Sequence, residues 1–314
     1  MTEQKETKWI SGAWRRIGAL VVDVVLLGMV GYVLGLAFWE LLVDLGSWGR
    51  LLGFVIALLY FGLMNSSFAN GQTLGKRLLG IRVVDAENNT IGLPRSFARY
   101  AVLGLPFFLN GIHIGAAALS YLIIPLSVVL FGGALSIIYL FVFNRVTRQS
   151  LHDLAVGSYV VHADAQKQAV GPVWKVHYVV VAVLFLSAAL VPTYAMKLTD
   201  DSPFKEMLAI HEALVKNPLV RFANVTVGST VQHTTSEDST TTNHVTVEVF
   251  VTEDVLDDAA LAREIALQVM AVYPEAMNND SVQVGLRYGY DIGIWSSWRS
   301  QFYTYAPQEL GADL

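Results

Sequence analysis

Two groups of ionisable residues carry the chemistry this chain offers. Arg16 and Asp23 stand seven residues apart at the start of a long apolar run. Seven helical steps return to nearly the same face, about 10 Å further along. An ionisable residue inside an apolar span is a functional candidate, because burying it unpaired costs several kcal/mol. Helical side chains lean toward the N-terminus. Arg16 therefore points away from Asp23, which must find its partner on another segment. The expected neighbours are Asn65 or Ser66, with Arg148 or His152-Asp153 closing the cluster from below. Asp23 then serves either as a helix-packing hydrogen-bond acceptor or as an ion or proton site. The second group is His152-Asp153, which follows Arg145 and Arg148. No nucleophile accompanies it, so it carries little catalytic weight. Between the two groups lies GQTLGKRLLGIRVVD (71–85), where Gly71 and Gly75 bracket a turn ahead of Lys76 and Arg77. A nucleotide-binding loop needs GxxxxGK[ST]; this one is a residue short and has Arg77 in place of Ser/Thr. His211-Glu212 lacks the second histidine of HExxH. No metal, cofactor or enzymatic activity is expected.

These residues need elements to hold them. Of 314 residues, 54% are hydrophobic and 15% charged, against about 25% charged in soluble domains. Mean hydropathy is +0.48. This is the composition of a membrane protein, and it excludes a plain cytosolic enzyme. The net charge of −5 averages two unlike parts. Residues 1–196 hold 14 Lys/Arg and 9 Asp/Glu, whereas residues 197–314 hold 7 and 17. There are no cysteines, which removes disulfides and Cys-based metal sites.

A bilayer core about 30 Å thick takes about 20 apolar residues per helix. Residues 17–39 and 51–68 fit. Residues 100–143 are 44 residues without a charge: too long for one helix and right for two, broken near Asn110-Gly111. Residues 176–196 make a fifth span. The segment 97–117 has a second reading as an interfacial helix, given Pro106, Asn110 and His113. The first span is too long for a signal-peptide core and carries an aspartate, so it is expected to remain as an anchor. With five spans, three basic stretches, at 1–16, 69–99 and 144–175, fall on one side. That gives 13 positive charges against 1, and this side is expected to be cytoplasmic.

From about residue 198 the periodicity changes. A helix is expected at 202–217. Alternating strands follow around Ala223–Val231 and Val245–Val251, joined by a polar tip at 233–243. A second helix is expected at 257–272 and a third strand from Val282 to Tyr290. Residues 81–93 read as a further short hairpin. The tail holds Trp295, Trp298, Phe302, Tyr303 and Tyr305, which suit a domain core, a membrane surface or a binding site. The fold class is therefore a polytopic α-helical membrane protein of about five spans with a small C-terminal α+β domain of order αββαβ. The divisions are a cytoplasmic tail (1–16), a membrane domain (17–162), a cytoplasmic linker (163–175), a fifth transmembrane helix (176–196) and an extracytoplasmic domain (198–314).

Three pieces together resemble the RDD family of bacterial integral membrane proteins. They are Arg16-x-x-Ala19-x-x-x-Asp23, the run 71–85, and Arg148-x-x-x-His152-Asp153-Leu154 followed by Gly157. The resemblance covers about residues 11–162. The family is named for one arginine and two aspartates. Arg16 and Asp23 match the first two; Asp153 is the leading candidate for the third and Asp85 the other. The resemblance implies a multi-pass protein of the bacterial cytoplasmic membrane, with ion or solute transport, or a transport-associated role, proposed for some members. The alternative is a non-enzymatic anchor, sensor or assembly factor whose outer domain binds a partner. Expected partners are the lipid bilayer, a second copy or another membrane protein, and an ion or solute, but no nucleic acid.

Overall fold

A computed structural model describes residues 8–114, 116–198, 204–233 and 239–311. The start of the basic N-terminal stretch and the centre of the expected hairpin tip, 234–238, lie outside the described residues. The chain divides into two compact units. The first comprises residues up to 39, 47–192 and 291–296; the second comprises 40–46, 193–290 and 297 onward.

In chain order up to residue 198 the elements are α1 (Ala13–Ala37), α2 (Trp39–Leu45), α3 (Gly49–Met64), α4 (Leu74–Leu78), β1 (Ile81–Val84), α5 (Leu93–Leu109), α6 (Ala116–Ser127), α7 (Ala134–Phe143), α8 (Leu151–Val156), β2 (Tyr159–His162) and α9 (Lys175–Leu198). Among the described residues, four helical stretches are long and apolar enough to cross a membrane: Ala13–Ala37, Trp39–Met64, Tyr121–Phe143 and Lys175–Tyr194. The third is continuous through a π turn, Val128–Gly133. The remaining expected span, 97–117, falls on the shorter α5, 17 residues beginning at Leu93 and carrying Arg95 and Arg99. It nonetheless lies antiparallel along α3. Phe97 packs on Gly62 at one end and Phe108 on Gly53 at the other, and Tyr100 stacks on Phe61 with ring centroids 4.6 Å apart. On the far side α9 runs antiparallel to the third stretch, with Tyr139 Oη 2.9 Å from His177 Nδ1 and Ser127 Oγ donating to Ala188 O at 2.6 Å.

The expected hairpin at 81–93 does not form. β1 pairs antiparallel with β2, Val83 opposite Val160, and Ile10 bridges Val161. The polar turn is present, since Asp85 accepts from Glu87 N and Asn89 N. Beyond it the chain is committed to α5 by Pro94 in the first helical turn, a position proline favours. Too few residues remain for a local second strand, and β2 fills the place. As a result the residues entering α1, the loop after α3 and the segment after α7 gather at one end of the helices.

The second unit contains α10 (Phe204–Leu214), β3 (Val220–His233), β4 (Ser239–Val251), α11 (Ala259–Val272), β5 (Ser281–Asp291), β6 (Ser296–Tyr305) and α12 (Pro307–Gly311). The sheet order is β3-β4-β5-β6. Val245, Val247 and Val249 of β4 and Val282, Val284 and Leu286 of β5 bury one sheet face, against Ile210 and Leu214 of α10 and Ile265 and Val269 of α11. One expectation is corrected. The order gains a fourth strand, because the aromatic tail forms β6. Its residues are mostly exposed, so the apolar alternation that marks a buried strand is missing. The β4–β5 pair is parallel, because α11 carries the chain back to the same end of the sheet. Tyr288, Tyr303 and Tyr305 pack against the core, whereas Trp298 and Phe302 are exposed.

Candidate functional site

The inward stripe of α1 repeats every four residues: Ala19, Asp23, Leu27, Gly31 and Gly35 are buried. At this spacing the stripe turns only slowly around the helix, so Asp23 enters the interior with its apolar neighbours. It receives three donors. Tyr60 Oη donates to Oδ1 at 2.7 Å, Thr73 Oγ1 to Oδ2 at 2.5 Å and Gly75 N to Oδ1 at 2.8 Å. The expected partners Asn65 and Ser66 do not reach it. The Asn65 amide nitrogen donates to Phe61 O and its oxygen accepts from Lys76 Nζ. Ser66 donates to Leu63 O and accepts from Phe68 N. Both sit at the helix end as the antiparallel geometry requires, but their donors are spent on the last carbonyls of α3 and their acceptors on Lys76 and Phe68.

The loop after α3 is shaped to deliver those donors. Thr73 caps α4 by accepting from Lys76 N. Gly75 lies against α1 so closely that a Cβ there would stand 2.1 Å from Ala19 O. Gly71 has φ +71°, where glycine is favoured, and its carbonyl accepts from Val83 N at 2.8 Å. Asp23, Thr73 and Gly75 thus latch α4 onto α1. Arg77 is exposed and stands outside the cluster.

A second carboxylate organises the other half of the site. Asp153 is fully buried. It accepts from Arg16 Nη2 at 2.5 Å, from Arg99 Nε and Nη2 at 2.9 and 2.7 Å, and from Ser158 Oγ at 3.1 Å. It also closes a capping box with Ser150 at the start of α8, which ends at Gly157 in the left-handed conformation. Arg148 contributes its carbonyl rather than its charge: at φ +52° it accepts from Arg16 Nη1. Asp85 stays within its own turn. The arginine–aspartate pairing therefore runs between Arg16 and Asp153, with Arg99 as second cation.

Burial opposes ionisation of Asp153, but the charges of Arg99, His152 and Arg16 outweigh it and hold the carboxyl far below the usual carboxylate range. Burial pushes His152 down to about 3, with Asp153 opposing and the cations assisting. The ring is thus neutral near pH 7, with Nε2 3.6 Å from Asp153 Oδ2 and Nδ1 without a hydrogen-bond partner among the described residues. Lys76 is lowered to about 7, first by burial and then by Arg99, with Asp23 opposing.

A cavity of about 280 Å³ joins the two halves, lined at its polar end by Arg16, Asp23, Lys76, Arg99, Ser150 and His152. The sequence reading missed Tyr60, Thr73, Arg99 and Ser158. Arg99 had a signal: Arg95 and Arg99 are one helical turn apart, and both reach the α8 segment, Arg95 donating to Val156 O. Tyr60 had none, lying 37 residues from Asp23 in sequence.

A bundle of long apolar helices closed at one end by a buried ion-paired cap defines the class: a membrane-type helical domain with a charged core at one end. Residues 10–157 match the model of the RDD family, and the chain carries an RDD family domain there. The chain is similar to the uncharacterised protein YckC of Bacillus subtilis (strain 168). The two are 27% identical over 153 residues, 49% of this chain and 85% of that protein. No solved structure gives a significant match. Residues 158–314 lie outside the family match.

Proposed function

We propose that the RDD domain is a non-enzymatic transport module of the bacterial cytoplasmic membrane, moving an ion or small solute alone or as a transport-associated subunit. The observation that carries this reading is the cavity of about 280 Å³ bordered by Arg16, Lys76, Arg99 and Asp23 inside a unit of long apolar helices. Charge held inside such a unit is costly, which makes each of these groups a functional candidate. A lysine titrating at about 7 lets the site change charge near neutral pH. In this reading α5 is a fifth crossing, because it runs the length of α3. The basic end is cytoplasmic, and the C-terminal domain is extracytoplasmic. A second copy or a membrane partner would supply further polar groups along the path.

The test is flux in proteoliposomes under imposed ion and pH gradients, for wild type, Asp23→Asn and Lys76→Gln. Gradient-driven flux in the wild type and its loss in folded Lys76→Gln are expected. Wild-type vesicles as silent as empty ones under every gradient would sink the transport reading. The anchor or sensor reading draws support from the separate core of the second unit. Pull-down from mild detergent, with and without residues 198–314, tests it: a partner lost on deletion favours that reading.

A further inference from the structure

The cavity is charged at one end and apolar along its walls, where Ile17, Leu20, Leu103, Ile138 and Phe141 line it. Of its lining residues, those exposed are Ile17 and Leu20 on α1 and Ile138 on α7. The opening therefore lies sideways between α1 and α7. Both belong to helices long and apolar enough to cross a membrane, so the opening faces acyl chains rather than water.

Two groups at the charged end lack partners that a ligand would supply. His152 is 7% exposed, and its Nδ1 has no hydrogen bond among the described residues. Lys76 Nζ donates to Asn65 Oδ1 at 2.6 Å and forms no ion pair among the described residues. The cations Arg16, Lys76 and Arg99 stand against two carboxylates, Asp23 and Asp153, and Asp153 holds both arginines. These five groups carry one net positive charge, and among the described residues Lys76 is the cation of the three that holds no ion pair. The volume of about 280 Å³ is at the lower edge of small-molecule sites, about 300–1,000 Å³. It admits a headgroup and its first methylenes, but not a whole chain.

We infer that the cavity holds the monoanionic headgroup of a membrane amphiphile, its oxyanion at Lys76, a second oxygen accepting from His152 in the Nδ1–H tautomer, and its acyl chain leaving between α1 and α7. A phosphodiester lipid and a fatty acid share this chemistry. The inference rests on the cavity as the ligand site of the proposed function, and it adds the class of ligand and its route of entry. It does not require turnover.

Full-length protein is exchanged in mild detergent with phosphatidylglycerol, oleate, phosphatidylcholine or inorganic phosphate, and bound ligand is counted by native mass spectrometry. One phosphatidylglycerol or oleate per chain is expected, with phosphatidylcholine displaced; which of the two is retained identifies the headgroup. Lys76→Gln removes a charge-assisted contact, and about tenfold weaker retention follows. Ile138→Trp narrows the opening at a residue 60% exposed and should weaken retention while leaving the fold intact. Leu186→Trp on α9, 66% exposed, should not. Equal retention of phosphatidylcholine overturns the inference. So does unchanged retention in both Lys76→Gln and Ile138→Trp, or binding of inorganic phosphate with no amphiphile retained. Flux separates this inference from the transport reading. Silent flux with intact retention removes transport alone, and intact flux without retention removes this inference alone.

Discussion

Asp153 is the residue on which the charged cap depends. Its oxygens hold Arg16 and Arg99, both largely buried. Removing one partner of a buried pair strands the other charge, at a cost of about 3–5 kcal/mol. Asp153→Asn should therefore lower stability by that order in detergent denaturation, whereas an exposed carboxylate such as Asp254 should cost under about 1 kcal/mol. The neighbouring histidine adds a pH dependence. His152 titrates at about 3 in the folded protein and at about 6.5 unfolded. Between these values the unfolded chain binds the extra proton, so stability falls on acidification from about pH 6.5 toward 3. Asp153 adds its own loss only below about pH 4, once the unfolded carboxylate protonates. Melting temperature followed from pH 7 to 4.5 should drop in the wild type and flatten in His152→Gln. An equal slope in both would show that the titration lies elsewhere.

At the scale of elements, the latch between α1 and α4 can be divided into its parts. In Asp23→Asn the amide oxygen still accepts from Tyr60 and Gly75, and the amide nitrogen donates to Thr73. The loss is then one hydroxyl acceptor, about 1 kcal/mol. Asp23→Leu strands all three donors and should cost about 3 kcal/mol or more. Gly75→Ala leaves every hydrogen-bonding group in place but sets a methyl against Ala19 O. Helix α4 must then move off α1, at about 1–3 kcal/mol. Hydrogen exchange at residues 73–80 should accelerate in Gly75→Ala and Asp23→Leu and stay near wild type in Asp23→Asn. Protection retained in Gly75→Ala would contradict the close approach.

The whole molecule poses the question of how α5 sits in the membrane. It is short and begins with two arginines, yet it extends along α3 from Gly62 to Gly53, and Arg50 donates to Phe108 O beyond its last turns. Arg99 is buried on Asp153, so its charge does not argue against insertion, whereas Arg95 is exposed and donates to Val156 O at the end where the charged cap lies. Reporter fusions after residues 45, 85, 165 and 205 should read out, in, in and out. If α5 stays at the interface, the last two readings reverse, which also inverts the side assigned to the C-terminal domain.

Sequence alone determined the division into an apolar helical part and an acidic α+β part. It also determined the stripe of α1 that carries Asp23 inward and the family that Arg16, Asp23 and 71–85 resemble. These are local properties: hydropathy over about 20 residues, a period of 3.6 or 2, and the spacing of a motif. Most strands of the second unit were legible because Val245, Val247 and Val249 alternate across a half-buried sheet. β6 was not, because its exposed residues lack that alternation. Tertiary structure decided the partners. Asp23 could be placed on a face, but its choice of Tyr60 and Thr73 over Asn65 depends on how α3 is rotated and on where Gly75 lets the chain approach. The pairing of β1 with β2 joins Ile81 to His162 and Val84 to Tyr159, 81 and 75 residues apart, and no local pattern encodes it. Arg99 looked like one more cytoplasmic charge until α8 was brought beside α5, and the long-range fold put Asp153 within its reach.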